Sequence, residues 1–352
     1  MKVLNDGGGK TASLYEGQRR RLGRAMAVSG ILAGLVLVVF AISLNAGQTR
    51  MPPLDVLKTL LGQGTEKQAL ILFQFRLPRM VIAILVGAGL AVAGCIFQAV
   101  FRNPLADPGL VGVNAGASLA VLVFVAFFST AAAAPVFLLP FLAFAGAGGA
   151  AALIFLLSYK RGRGLSATRL ILTGIAVAAG LNAAIIVLTL RIDPAKYQFA
   201  ATWMAGTIWG SNWKFVGTLL PWLVVLVPLA LFKAPVLNML SLGDDTATGL
   251  GVAAGRQRVL LLSAAVGIAG ACVAVSGGIS FVGLICPHLA RSLVGPRHQQ
   301  LIPAAALCGA LLLLTADTLG RVILQPAEVP AGIVVAVIGA PYFLYLLAKA
   351  KS

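Results

Sequence analysis

Charge is what this sequence has least of. Only 11% of its 352 residues are Asp, Glu, Lys or Arg, and 10 of them are acidic. A water-soluble domain carries roughly 25% charged residues, so a large hydrated surface is excluded. Histidine occurs only as His288 and His298, without a nearby ligand set. No carboxylates paired for acid–base work, nucleophile–base set or metal cluster can be assembled, so neither a catalytic site nor a metal site is expected. The four cysteines, Cys95, Cys272, Cys286 and Cys308, lie in apolar runs and form no C-x-x-C pair. They read as small buried hydrophobes, not as disulfides or metal ligands. Aromatics are few, at 7%, and are not interleaved with the basic clusters. The net charge of +17, from 27 basic and 10 acidic residues, therefore does not point to nucleic acid.

What the chain has instead is apolar length. Hydrophobic residues make up 59% of it, and about 20 in a row suffice to cross a bilayer. Ten spans are expected, near 25–44, 80–100, 111–130, 134–157, 168–190, 215–232, 258–276, 279–292, 301–320 and 329–348. The fold class is an all-α polytopic membrane protein, in contact with lipid on its flanks. The eighth span is short and glycine-punctuated, which suggests a partial or bent helix. Forty glycines and 17 prolines are compatible with membrane helices, where small residues let backbones approach. The first apolar run follows Arg19, Arg20, Arg21 and Arg24 and is too long for a signal-peptide core, so it reads as an uncleaved span. The division expected is a tail at 1–24, a membrane domain at 25–348 containing a cytoplasmic loop at 233–257, and a tail at 349–352.

Basic residues orient the spans. With both termini inside, 18 of the 27 lysines and arginines face the cytoplasm and nine face out, in the sense of the positive-inside rule. Three outward residues, Arg76, Arg79 and Arg321, stand at helix mouths against that bias. For Arg76 and Arg79, in "RLPR", interfacial anchoring by arginine, with Pro78 starting the helix, is the plain alternative to a binding role. Asp317 is the only acidic residue well inside a span, and Arg321 lies four positions on, on the same face. A structural ion pair between them is expected; a proton-coupling role for Asp317 is the competing reading.

Near the N-terminus "GGGKT" (7–11) imitates a phosphate-binding loop. The full pattern needs a glycine where Leu4 stands and a preceding strand, so a flexible polar tail is expected. The segment 87–118, "GAGLAVAGCIFQAVFRNPLADPGLVGVNAGAS", is denser in signal. Gly87 and Gly94 allow close helix approach, and the cluster from Asn103 to Gly109 makes a turn. This segment resembles the permease subunits of ABC importers for ferric siderophores, haem and cobalamin. The resemblance continues in "LSLGDDTATGLGV" (240–252), "GGISFVGLICPHLAR" (277–291) and "ADTLGR…AEVPAGIVVAVIGAPYFLYLL" (316–347), and so covers almost the whole chain.

The loop at 233–257 can be read without it. Leu237, Leu240, Leu242 and Leu250 are separated by polar residues and glycines, giving two short helices joined at Gly243 and too polar to span. An interfacial helix on lipid headgroups is the alternative, opposed by Asp244 and Asp245, which anionic lipid would repel. The resemblance implies that these residues form coupling helices docked on a separate ATPase subunit. It also implies an inner gate at Asn103, Leu105, Ser166 and Thr168. Ala167 departs from the hydroxyl residue common there, and helix capping by Ser166 is the alternative. Docking of a periplasmic substrate-binding protein is implied for Arg76, Arg79 and Arg321.

Together these expectations describe the transport subunit of a type II importer in a bacterial inner membrane. Two copies form the pathway and two ATP-binding subunits work inside. This chain has no covalently bound cofactor, and ATP is used by the partner. The cargo expected is an iron chelate, with haem placed slightly ahead of a ferric siderophore and cobalamin behind both. A stand-alone secondary transporter is the other function class. It would show inverted repeats, helices broken at the midplane and several intramembrane ionisable groups; here one such carboxylate and no clear repeat are found.

Overall fold

The computed structural model describes residues 7–47, 51–128, 137–160 and 164–350. Arg50, Arg161 and Arg163 of the basic loops lie outside them. Fourteen helices follow in chain order: α1 Gly7–Asn45, α2 Pro53–Leu60, α3 Glu66–Phe101, α4 Val113–Phe127, α5 Leu138–Ser158, α6 Ala167–Thr189, α7 Pro194–Met204, α8 Trp213–Phe232, α9 Ala234–Ser241, α10 Asp244–Gly249, α11 Ala254–Ser276, α12 Val282–Val294, α13 His298–Ile323 and α14 Ala331–Ala350. A two-residue antiparallel hairpin, β1 Tyr159–Lys160 with β2 Gly164–Leu165, joins α5 to α6.

Eight of these helices are long and apolar enough to cross a membrane, and α4 and α12 are shorter apolar helices. Together they correspond to the ten expected spans. The backbone is already helical at Gly7, which corrects the flexible tail expected at "GGGKT".

The centre is a packing of α3 against α13, α11 and α12. Residues 89–101 of α3 are buried without a break. Lipid offers no hydrophobic reward for such burial, so close backbone contact must supply the attraction. Helices α3 and α13 run antiparallel and touch at glycines: a Cβ on Gly87 would sit 2.2 Å from the Gly309 carbonyl oxygen. Gly94 meets Gly283 of α12 in the same way, at 1.9 Å. Outside this centre, less than a third of the apolar stretch of α1, α6 and α14 is buried against the rest of the chain.

The eighth span is a short, partial helix preceded by an unwound glycine-containing segment. Helix α11 stops at Ser276, residues 277–281 are unwound, and α12 takes over. Gly277 (φ 70°) and Phe281 (φ 68°) both have left-handed backbone. Gly277 also lies against the Trp203 carbonyl of α7, where a Cβ would come within 2.0 Å. At about 1.5 Å per residue, the 13 residues of α12 fall short of a roughly 30 Å hydrocarbon core.

Candidate functional site

Two groups of chemically distinctive side chains stand at opposite ends of α3. The first surrounds its start. The expectation that Pro78 opens the helix is corrected: the helix begins at Glu66 and winds as a π-helix over Leu70–Arg76 before continuing through Pro78. Proline has no N–H to offer the preceding turn, and the widened turn absorbs the mismatch. The Leu77 N–H donates to the Leu72 carbonyl, five residues back. Phe73 then has neither the Leu77 N–H nor an N–H at Pro78 available, and its carbonyl accepts from Trp213 Nε1 at 2.7 Å. The backbone polar group is thus satisfied by a side chain from α8.

The π turn aims Arg76 inward. It is 6% exposed and donates to the Leu44 carbonyl at the end of α1. Arg321, 5% exposed, reaches the same helix end, donating to the Ala46 carbonyl at 2.9 Å and to the Ser43 hydroxyl. Both guanidinium groups therefore cap the carbonyl end of α1, where positive charge is favoured. Arg79 forks onto Asp317, with Nη2 at 2.8 Å and Nε at 2.9 Å from Oδ1, and onto Glu328 at 2.8 Å. Asp317 also receives Arg321 Nε at 3.2 Å.

None of the three arginines extends freely from a helix mouth. Arg76 and Arg321 are interior, and the Arg79 side chain is 13% exposed and ion-paired. Asp317 holds two arginines, not Arg321 alone. Glu328, which sequence reasoning did not single out, completes the group and stands in the quoted "AEVP". A cleft of about 310 Å³ opens over the cluster, lined in part by Arg76, Arg79, Arg321, Glu328 and Trp209. Three guanidinium groups against two carboxylates leave it one positive charge in excess.

The second group lies at the far end of α3. Arg102 ends the helix in a left-handed turn (φ 51°). Asn103 Oδ1 then accepts from the Leu105 N–H at 2.9 Å, and Asp107 Oδ1 accepts from the Gly109 N–H at 2.8 Å. The turn packs on α6, where a Cβ on Gly174 would meet the Leu110 carbonyl at 1.8 Å. Asp107 Oδ2 is pressed against Gly283. Loss of water there pushes its carboxyl up to about 6, the Gly109 N–H pulling the other way. Ser166 precedes α6 at the N-cap position but makes no side-chain cap bond, so the capping reading finds no support. Ser166 and Thr168 are exposed.

Across this corner lie α9 and α10, two short helices joined at Gly243 with φ 118°, a conformation that suits glycine. Leu237 and Leu240 are 0% and 2% exposed and anchor α9. Leu242 and Leu250 are 65% and 59% exposed. The leucines thus divide into two that hold the loop and two that it presents. Asn238 fixes α9 to α13 through the backbone and ring of His298, at 2.9 and 2.7 Å, and through Gln299 at 2.9 Å. His298 is buried, so it serves packing. His288 faces Tyr342 edge-on.

Asp245 is exposed. Asp244 pairs with Arg258, 2.5 Å from Nη2. Arg258, which the sequence analysis did not single out, opens the expected span 258–276. Its signal was position: an arginine at the head of the apolar run "VLLLSAAVGIAGACVAV". No group of three or more His, Cys, Asp or Glu residues placed to hold a metal ion occurs among the described residues.

A profile described as the FecCD transport family matches residues 35–349. The chain is 49% identical to the iron(3+)-hydroxamate import system permease protein FhuG of Bacillus subtilis, over 95% of this chain and 100% of that one. It is 40% identical to the hemin transport system permease protein HmuU of Yersinia pestis, over 92% and 96%. Among solved structures, a metal-chelate type ABC transporter in an inward-facing conformation superposes with a TM-score of 0.80 at 32% identity, covering 92% of this chain and 99% of that one.

Proposed function

The chain belongs to the FecCD transport family of ABC importer permeases, and from that premise we propose that it carries a ferric siderophore of the hydroxamate class inward across a bacterial cytoplasmic membrane. The observation that carries the substrate class is the 49% identity along the full length of the hydroxamate permease. The hemin permease stands at 40%, so the order suggested by the sequence alone, haem first, is reversed in this proposal. ATP hydrolysis belongs to separate ATPase subunits, and a substrate-binding protein delivers the cargo.

The end carrying α9 and α10 is assigned to the cytoplasm, with both termini, because the larger share of lysine and arginine falls there. Two exposed leucines on a loop held by two buried ones suit docking into a groove of the ATPase. The turn at Asn103 and Leu105 and the start of α6 at Ser166 and Thr168 form the inner gate. A second permease chain, taken as another copy of this one, completes the pathway on a twofold axis. The arginine cluster then lies outside. It serves docking as a braced basic cleft and not as free arginine side chains. Exposed ion pairs contribute only about 0.2–1 kcal/mol each, so the cluster governs orientation and encounter rate more than affinity. Association with the binding protein is expected to weaken as salt rises, measured by surface plasmon resonance; salt-independent association would remove the electrostatic part of the proposal.

Coupling is tested by Leu242→Glu. Uptake per ATP hydrolysed in proteoliposomes is expected to fall by an order of magnitude. Leu237→Glu is expected to fail earlier, at folding, because it buries a charge. Parent-like uptake per ATP in Leu242→Glu would withdraw the docking role of α9 and α10.

A further inference from the structure

We propose that Arg258 is a positioning residue that ties the coupling loop directly to the inner gate. The inference rests on the coupling and gate roles proposed above and adds the physical link between them.

Arg258 stands near the start of α11 and is 7% exposed. Its Nη2 contacts both carboxylate oxygens of Asp244, at 2.5 and 2.6 Å, and its Nη1 donates to the Leu165 carbonyl at 2.5 Å. Asp244 is the first residue of α10. Leu165 is the last residue of the hairpin, directly before Ser166 and Thr168. One planar guanidinium therefore spans from the helix assigned to the ATPase to the strand that enters the gate. Leu165 is itself 8% exposed, so the gate side of the link is packed.

The other gate segment meets the same corner. A Cβ at Gly243 would lie 3.3 Å from Arg102 Nη1, and Arg102 is followed by Asn103 and Leu105. The Gly243–Asp244 junction thus adjoins Arg102, which leads into one gate segment, and Arg258, which holds the other through the Leu165 carbonyl. A displacement of α10 must pull the Leu165 strand or break the Arg258 contacts. A coupling path is physical when one element is biased by both ends, and Arg258 provides such an element. Lysine cannot replace it, because a single ammonium lacks the rigid fork that holds both partners at once.

The test uses the complete importer, with ATPase subunits and binding protein, in proteoliposomes. Uptake per ATP hydrolysed is measured for Arg258→Lys, Asp244→Asn and the double variant, alongside co-purification of the ATPase. The ratio is expected to fall about tenfold in each single variant. The double variant is expected to be no worse than Arg258→Lys alone, since both substitutions cut one link. ATPase co-purification is expected to persist. Parent-like ratios in both single variants, or additive losses in the double, would overturn the proposal. Leu242→Glu run in parallel separates the two levels. If it uncouples while Arg258→Lys and Asp244→Asn do not, only the Arg258 link fails. If it stays coupled, the coupling-loop assignment itself fails.

Discussion

Asp317 holds two arginines that would otherwise repel each other. Its side chain is 1% exposed, with Arg79 at 2.8 Å and Arg321 at 3.2 Å. Removing one member of a buried ionic group leaves uncompensated charge and costs about 3–5 kcal/mol. Asp317→Asn is therefore expected to lower the thermal midpoint of the detergent-solubilised protein markedly, and Glu328→Gln much less, because Glu328 is 27% exposed. Protein that survives Asp317→Asn is expected to retain ATP-dependent uptake. Uptake abolished in stable, assembled protein would instead favour the proton-coupling role.

Asp107 behaves differently. Its carboxyl is raised from 3.8 to about 6, so the folded state holds the proton more tightly than the unfolded chain. The stability this contributes is present below pH 4 and is lost as pH rises through 6. Asp107→Asn keeps an acceptor for the Gly109 N–H without the charge. Its thermal midpoint relative to the parent is expected to rise between pH 4 and pH 7; a pH-independent difference would contradict that account.

At the scale of the element, α3 shows how much one proline decides. The π turn at Leu70–Arg76 aims Arg76 at the end of α1 and leaves the Phe73 carbonyl to Trp213. Trp213→Phe is expected to cost about 1 kcal/mol in thermal unfolding. In a Pro78→Ala background the restored N–H supplies another donor, so the loss should shrink; equal losses in both backgrounds would contradict the accounting. This element also shows what the sequence made legible. Hydropathy marked the apolar run from Met80, and the small residues at 87 and 94 marked where helices touch. The stretch 66–76 was hidden because "EKQALILFQFR" mixes charge with apolar residues and Pro78 mimics a helix start. Helix α7 was hidden for a similar reason: "PAKYQFAATWM" is too short and polar to be a span. The junction at Gly243 was readable from spacing, but the split between inward Leu237 and Leu240 and outward Leu242 and Leu250 needs three dimensions.

At the scale of the molecule, two ends of one buried helix carry two different kinds of chemistry. At one end, a braced cluster of buried charge locks α1 to α3 and α13. At the other, a loop with exposed leucines adjoins Arg102 and Arg258, which lead to the two segments proposed as the gate. The membrane class and ten apolar helices could be read from hydropathy, because burial in lipid leaves a long compositional trace. Arg76 and Arg321 were legible as unusual charges but not as interior ones, since the carbonyls they cap lie over 30 and over 270 residues away in the chain. Arg258 was hidden among the basic residues that the positive-inside rule already explains. The proposed function places cargo affinity in a partner and energy input at the α9–α10 end.

The measurement that tests this most directly is uptake by proteoliposomes containing the permease, its ATPase and its binding protein. Ferric hydroxamate, haem and cobalamin are supplied in turn, with and without ATP. The account predicts ATP-dependent uptake of ferric hydroxamate that is abolished by omitting the ATPase and exceeds that of the other two. Uptake that proceeds without the ATPase, or a preference for haem or cobalamin, would contradict it.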